Sequence, residues 1–190
     1  MRTTAEAIRR VLLPPTLAEA EFEGKSASAV MVLLRPAGGG LEVLLGKRVR
    51  RTGDPWSGHI SFPGGHHHKE DGPLLETALR ETREEVSLDL RAGAEVLGHL
   101  SPRSPGNDPA MLVVPFVSLA TAPLEPRPGP EMEAAFWVPL ADLPPSSGTA
   151  TVQTRVGELR VPAFRWRDLV VWGLTYRILE ELLVLLDAPR

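Results

Sequence analysis

Glu81, Glu84 and Glu85 are spaced i, i+3 and i+4 in a run, residues 74–88, whose apolar residues recur with the period of a helix. An α-helix advances about 100° per residue, so the three carboxylates share one narrow stripe. Like charges at that spacing destabilise a bare helix, so either solvent tolerates them or a cation holds them together. The run follows Pro63-Gly64-Gly65, where the absence of side chains lets a backbone carbonyl approach closely enough to join the carboxylates around an ion. Oxygen ligands of this kind suit Mg²⁺ or Mn²⁺, which would neutralise diphosphate oxygens and orient a water for attack at phosphorus. The plainer reading is a solvated acidic face with Arg80 in ordinary ion pairs, and spacing alone weighs the two about equally.

Elements able to carry these residues can be traced along the chain. Pro73 suits the first turn of the helix, and Leu74, Leu75, Ala78, Leu79, Thr82 and Val86 form a packing face with the acids pointing elsewhere. Residues 27–35 and 41–49 read as a hairpin through Gly38-Gly39-Gly40, and 58–62 as a short strand entering the glycine turn. Further strands are expected at 96–100, 111–119 and 134–138, with a small hairpin of 152–156 and 159–161 through Gly157. A first helix runs from a Thr3 or Thr4 cap to about Leu13, where Pro14-Pro15 stops it. Asp168 is expected to cap a leucine-rich final helix over 169–186, and the proline-rich stretch 123–130 reads as an internal loop. Strands, helix, strands, helix favour α/β or α+β, with helices covering a mixed sheet.

Composition sets the outer bounds. The chain has 190 residues, 43% hydrophobic and 24% charged, which is ordinary for one globular domain. A net charge of −3 supplies no drive towards a nucleic-acid polymer. With no cysteine, thiolate catalysis and cysteine-based metal sites are excluded. Arg9 and Arg10 interrupt the first apolar patch, and Arg177, Glu180 and Glu181 interrupt the last, so neither a signal peptide nor a membrane span is expected. A cytoplasmic location follows as the expectation.

Read as a string, Phe62-Pro63-Gly64-Gly65 followed by residues 75–88, with Arg80-Glu81, Glu84 and Glu85, resembles the signature of the Nudix hydrolases. The resemblance implies a Nudix-type α/β/α sandwich, with 1–26 as an N-terminal helix and linker and 27–190 as the hydrolase domain. It also implies that Glu81, Glu84 and Glu85 bind catalytic cations, that the Gly64 carbonyl joins them, and that Arg80 orients the glutamates through ion pairs. Three departures stand out. The interval from Gly65 to Arg80 is one residue longer than the family pattern, so the early glutamate has no strict match and Asp71 is the nearest acid; Thr82 replaces an apolar residue, and Ser87 a glycine.

A similar extra residue occurs in the Nudix branch that cleaves coenzyme A. Leu44-Leu45-Gly46-Lys47-Arg48, Gly58 and the glycine turn resemble that branch's upstream element, and Val171-Trp172-Gly173-Leu174-Thr175 resembles its final helix. Asp54 takes the place of its second arginine, leaving Arg50 or Arg51 to serve there through a shifted loop.

The other candidates follow from side-chain chemistry. Arg48, Arg50, Arg51 and Arg103 can hold phosphate oxygens bidentately. Glu131, with Glu133, is the candidate general base or further ligand. Three adjacent side chains cannot converge on one ion, so His66, His67 and His68 are expected to serve structure or to contact substrate. Trp56, Trp137, Trp166 and Trp172 are expected to pack.

The expected activity is a Mg²⁺-dependent pyrophosphohydrolase cleaving coenzyme A or a derivative to 3′,5′-ADP and 4′-phosphopantetheine. The alternatives are a hydrolase of ADP-ribose, another nucleoside diphosphate sugar or another nucleotide, and a binding-only protein on the same scaffold. The expected partner is a small-molecule diphosphate, and the leucine-rich end is compatible with a homodimer.

Overall fold

The computed structural model describes residues 2–17, 26–51, 57–106, 108–154 and 157–187. In chain order the elements are α1 (Arg2–Arg9), β1 (Ser26–Ala37), β2 (Gly40–Arg48), β3 (Ile60–Ser61), β4 (Gly64–His66), α2 (Leu74–Val86), α3 (Leu90–Gly93), β5 (Ala94–His99), β6 (Met111–Ala120), β7 (Met132–Pro139), β8 (Ser147–Thr154), β9 (Gly157–Trp166), β10 (Leu169–Trp172) and α4 (Gly173–Asp187).

β1 organises the main sheet because it is apolar on both faces. Its Ala27, Ala29, Met31 and Leu33 are buried on one side and its Val32 and Leu34 on the other, as a strand covered by two layers requires. It runs parallel to β6 and antiparallel to β2 and β4, within the order β3-β2-β1-β6-β5; β7 lies beside β2. α2 covers one face, setting Leu74, Ala78 and Val86 against Met31, Leu44 and Phe116. α1 and α4 cover the other, through Ala5, Ile8, Ile178, Leu179 and Leu182. Each full burial of an aliphatic side chain stabilises by roughly 1.5–3 kcal/mol, so the three from α4 outweigh any surface ion pair in docking it. The result is a mixed sheet between helices, as the order of elements implied. β8, β9 and β10 form a separate antiparallel sheet. Among the described residues no helix is long and apolar enough to cross a membrane.

Several boundaries differ from expectation for identifiable reasons. The final helix begins at Gly173, not after an Asp168 cap, because the β-branched pair Val170-Val171 and Trp172 instead pair with β9, Leu169 facing Trp166 and Trp172 facing Ala163. Arg167, at φ 56°, makes the turn between these strands. α1 is a shorter helix than expected and, through Ala5 and Ile8, belongs to the core. The glycine turn is itself drawn into the sheet, with Val30 facing Gly64 and Ser28 facing His66.

Candidate active site

Gly64 brings β4 hard against β1, and a Cβ there would strike the Ala29 carbonyl and Val30. Its backbone N–H donates to Glu85 Oε2 at 3.0 Å, tying the end of α2 to the turn. Glu85 is therefore no solvent-facing acid, as the helix pattern had implied, but only 3% exposed. Burial pushes its carboxyl up to about 7; the Gly64 N–H and Arg48 oppose this, while Glu81 and Glu131 add to it. Glu81 lies over Gly65 so closely that any side chain at Gly65 would collide with its carboxylate. Burial raises the Glu81 carboxyl too, against the pull of Arg80. Glu84 is the outermost of the three, its side chain 54% exposed.

Arg80 organises this outer pair. Its Nη1 reaches Glu81 Oε1 at 2.8 Å and Glu84 Oε2 at 3.1 Å, and its Nη2 donates to the His66 carbonyl at 3.3 Å. From behind, Asp71 accepts its Nε at 2.7 Å and its Nη2 at 3.0 Å. Asp71 also accepts the Thr77 hydroxyl at 2.8 Å and the His68 N–H at 3.1 Å. The Arg80 hydrogen bonds outweigh desolvation and, with those of Thr77 and His68, hold the Asp71 carboxyl well below the usual range. Reciprocally, Asp71 and Glu81 raise the Arg80 pKa against its own desolvation. The extra loop residue is absorbed by a single 3₁₀ turn, Lys69–Asp71, which delivers Asp71 to the back of Arg80.

The remaining candidates divide. Arg48 approaches Glu85 at 3.5 Å and Glu131 at 3.9 Å, and Arg51 approaches Glu131 at 3.4 Å and the Pro130 carbonyl at 3.2 Å. Arg48, Arg51 and Glu131 thus gather on the Glu85 side of the acids. Glu133 pairs instead with Lys47 at 2.7 Å. Arg50 is exposed beside Gly58. Arg103 is held by Glu181 of α4 through Nε at 3.0 Å and Nη2 at 2.7 Å, and joins no member of the acidic group. Asp54 and Trp56 lie outside the described residues. Among the described residues no three acidic or imidazole side chains converge into a ready-made metal cage, because Arg80 and Arg48 stand among the acids.

Sequence reasoning missed two supports. Thr77 joins His67 to Asp71, for which a hydroxyl one turn before Glu81 was the only signal. The proline-rich loop caps α2, Arg127 N–H donating to the Val86 carbonyl at 2.9 Å and Gly129 N–H to the Glu85 carbonyl at 2.7 Å; nothing in its composition indicated this. The two departures in the helix are also explained. Thr82 returns its hydroxyl to the Ala78 carbonyl at 2.7 Å, and Ser87 ends the helix at φ 58°, a conformation that favours glycine.

Comparison with known proteins is consistent with this geometry. Residues 25–156 match the NUDIX domain. The chain is 36% identical over 186 residues to the mitochondrial coenzyme A diphosphatase NUDT8 of Homo sapiens, covering 94% of this chain and 76% of that protein. It is 31% identical over 190 residues to an uncharacterized Nudix hydrolase NudL of Pectobacterium atrosepticum, covering 93% and 91%. An uncharacterized protein of Schizosaccharomyces pombe is 41% identical over 107 residues, but this chain spans only 32% of its length. The fold is shared with the Nudix hydrolase RenU of M. smegmatis, at a TM-score of 0.52, 20% identity, and 64% of this chain against 74% of that one. The match extends across most of the chain and takes in both the glycine turn and the acidic helix: the protein belongs to the Nudix family and is a Nudix hydrolase.

Proposed function

We propose that the chain hydrolyses small molecules in which a nucleoside is carried on a diphosphate, with Glu81, Glu84, Glu85 and the Gly64 carbonyl holding Mg²⁺ or Mn²⁺. The observation that carries this reading is Glu85, a buried carboxylate beside a second partly buried one at a glycine turn, both pushed towards their neutral forms by burial against the pull of Arg48 and Arg80. The donors are all oxygens, which fits a hard divalent ion. Bound there, the cation would supply charge for the diphosphate oxygens and lower the pKa of a water.

The chain's own groups do the rest. Arg80, braced by Asp71, keeps Glu81 and Glu84 aligned. Arg48 and Arg51 turn from Glu131 to the diphosphate, and Glu131 accepts the proton of the attacking water. The water oxygen bonds to one phosphorus, the bridging P–O bond breaks, and the other phosphate leaves with its substituent.

The broad nucleoside-diphosphate class stands ahead of any single member, since Arg48 and Arg51 address only the shared diphosphate; ADP-ribose, nucleoside diphosphate sugars and other nucleotides all fit. Coenzyme A is the narrower reading. It is supported by the human relative's name and by Trp172-Gly173-Leu174-Thr175, where Thr175 donates to the Ile60 carbonyl at 3.1 Å, just ahead of the glycine turn.

A Mg²⁺-supplemented panel of coenzyme A, ADP-ribose and nucleoside diphosphate sugars, read by mass spectrometry of both products, tests the proposal. 3′,5′-ADP with 4′-phosphopantetheine selects the narrower reading; AMP with ribose 5-phosphate selects ADP-ribose. Cleavage of none of them, nor of any other nucleoside diphosphate, overturns the proposal in favour of binding alone.

A further inference from the structure

Three adjacent histidines, His66, His67 and His68, are left without a chemical role by the acidic site, yet they do three different things. His66 places Nδ1 3.3 Å from the Ser28 hydroxyl, and exposed His68 offers its backbone N–H to Asp71. His67 points inward. Its N–H donates to the Ala27 carbonyl at 2.9 Å, fixing the residue on β1, and its Nδ1 lies 2.9 Å from the hydroxyl of Thr77, which is fully buried.

The direction of each hydrogen bond in this group can be deduced. Arg80 can only donate, so both of its bonds to Asp71 run towards the carboxylate. The Asp71 side chain is 7% exposed and ionised, because the two Arg80 N–H groups and the His68 N–H already donate to it, so it has no proton to give Thr77. The single Thr77 hydroxyl hydrogen must therefore lie on the 2.8 Å contact with Asp71. Thr77 then presents His67 with lone pairs only, and Nδ1 of His67 must carry a hydrogen. The chain reads His67 to Thr77 to Asp71, with Arg80 donating from the other side and its Nη1 reaching out to Glu81 and Glu84.

We infer that His67 is a positioning residue for the acidic helix: donating from Nδ1 to the Thr77 hydroxyl, it fixes the Thr77–Asp71 contact that aims Arg80 at Glu81 and Glu84. This rests on the proposed cation-dependent reading of those glutamates. Partners one step behind a metal's ligands govern affinity and rate because they hold the ligands in a single orientation.

The test uses the full chain and three readouts: the tautomer of His67 from ¹⁵N–¹H imidazole correlations, Mn²⁺ affinity by electron paramagnetic resonance without substrate, and kcat and KM on the best substrate of the panel. The Nδ1–H tautomer is expected in the unaltered protein. His67→Phe and Thr77→Val should each weaken Mn²⁺ binding and lower kcat by about tenfold, with KM and Tm little changed. His67→Asn, whose amide can donate where Nδ1 did, and Thr77→Ser should restore most of the loss. An Nε2–H tautomer, unchanged Mn²⁺ affinity in His67→Phe, or a His67→Asn variant no better than His67→Phe overturns the inference. Glu84→Gln separates the two claims. Lost Mn²⁺ binding there with unchanged binding in His67→Phe removes the positioning role alone, whereas unchanged binding in Glu84→Gln removes the cation reading beneath it.

Discussion

Two arginines meet the acidic stripe from opposite sides, and they touch it at very different distances. Arg80 is locked between a buried aspartate and two glutamates by contacts of 2.7 to 3.1 Å. Among the described residues Arg48 approaches Glu85 at 3.5 Å and Glu131 at 3.9 Å, and Glu131 has a half-exposed side chain on a loop. A guanidinium gripped on both edges is scaffolding. One that reaches a half-exposed acid only at 3.9 Å can exchange that acid for a substrate oxygen at small cost.

The largest effect expected is on the stripe that both arginines serve. Glu84→Gln and Glu85→Gln should each reduce kcat by more than about a hundredfold, beyond what loss of an outlying partner costs, while neither lowers Tm by more than a little. Near-normal turnover in both would leave the contrast between the arginines without a functional meaning. Next, Arg80→Lys should lower kcat by roughly ten- to a hundredfold, because an ammonium cannot reach Asp71 and both glutamates in the fixed fork of a guanidinium. Arg48→Lys should instead raise KM several-fold and spare kcat, as loss of uniform binding does. Steady-state kinetics on the pair separates the roles; the same kcat loss from both would erase the distinction.

Stability should carry the same asymmetry. A carboxyl whose folded pKa is raised favours the protonated fold, so the stability it contributes is fully present below the unfolded value of about 4.5 and is lost as pH rises to about 7. Glu85 places that loss on the order of 3 kcal/mol, and Glu81 acts in the same direction. The Tm of metal-free protein should therefore fall between pH 5 and pH 8, Mg²⁺ should recover it at pH 8, and Glu85→Gln should flatten the profile. Asp71, with its pKa lowered, works the opposite way and matters only under strongly acidic conditions. The smallest effect expected is from Ser87→Gly, which relieves a left-handed residue at the end of α2 and should raise stability by about 1 kcal/mol without altering kinetics.

Much of this stripe could be read from the one-dimensional chain, because helical spacing is local: Glu81, Glu84 and Glu85 fall together whatever surrounds them. The lengthened interval to Arg80 marked Asp71 only as the nearest acid, and its bracing of Arg80 became visible with the 3₁₀ turn that carries it there. Burial was not legible. Glu85 looked like Glu84 until the strand pairing of Gly64 with Val30 turned an N–H towards it. Nor could composition choose among Arg48, Arg50, Arg51 and Arg103, for that choice depends on Glu131 and Glu181 arriving from a distant loop and a distant helix. Residues 169–172 failed for a different reason: a short apolar run fits either period, and the edge of β9 decided it.

The cap that Gly129 and Arg127 place on the last carbonyls of α2 ends two residues short of Glu131. Glu131 is therefore on a short leash. Its backbone is pinned on the other side too, the Glu131 carbonyl accepting from the Val49 N–H at 3.0 Å, so the carboxylate moves by its own side-chain torsions from a fixed origin. Lengthening the segment by one residue on either side of Pro130 would leave Glu81, Glu84 and Glu85 in place and still uncouple Glu131, the proposed proton acceptor, from them.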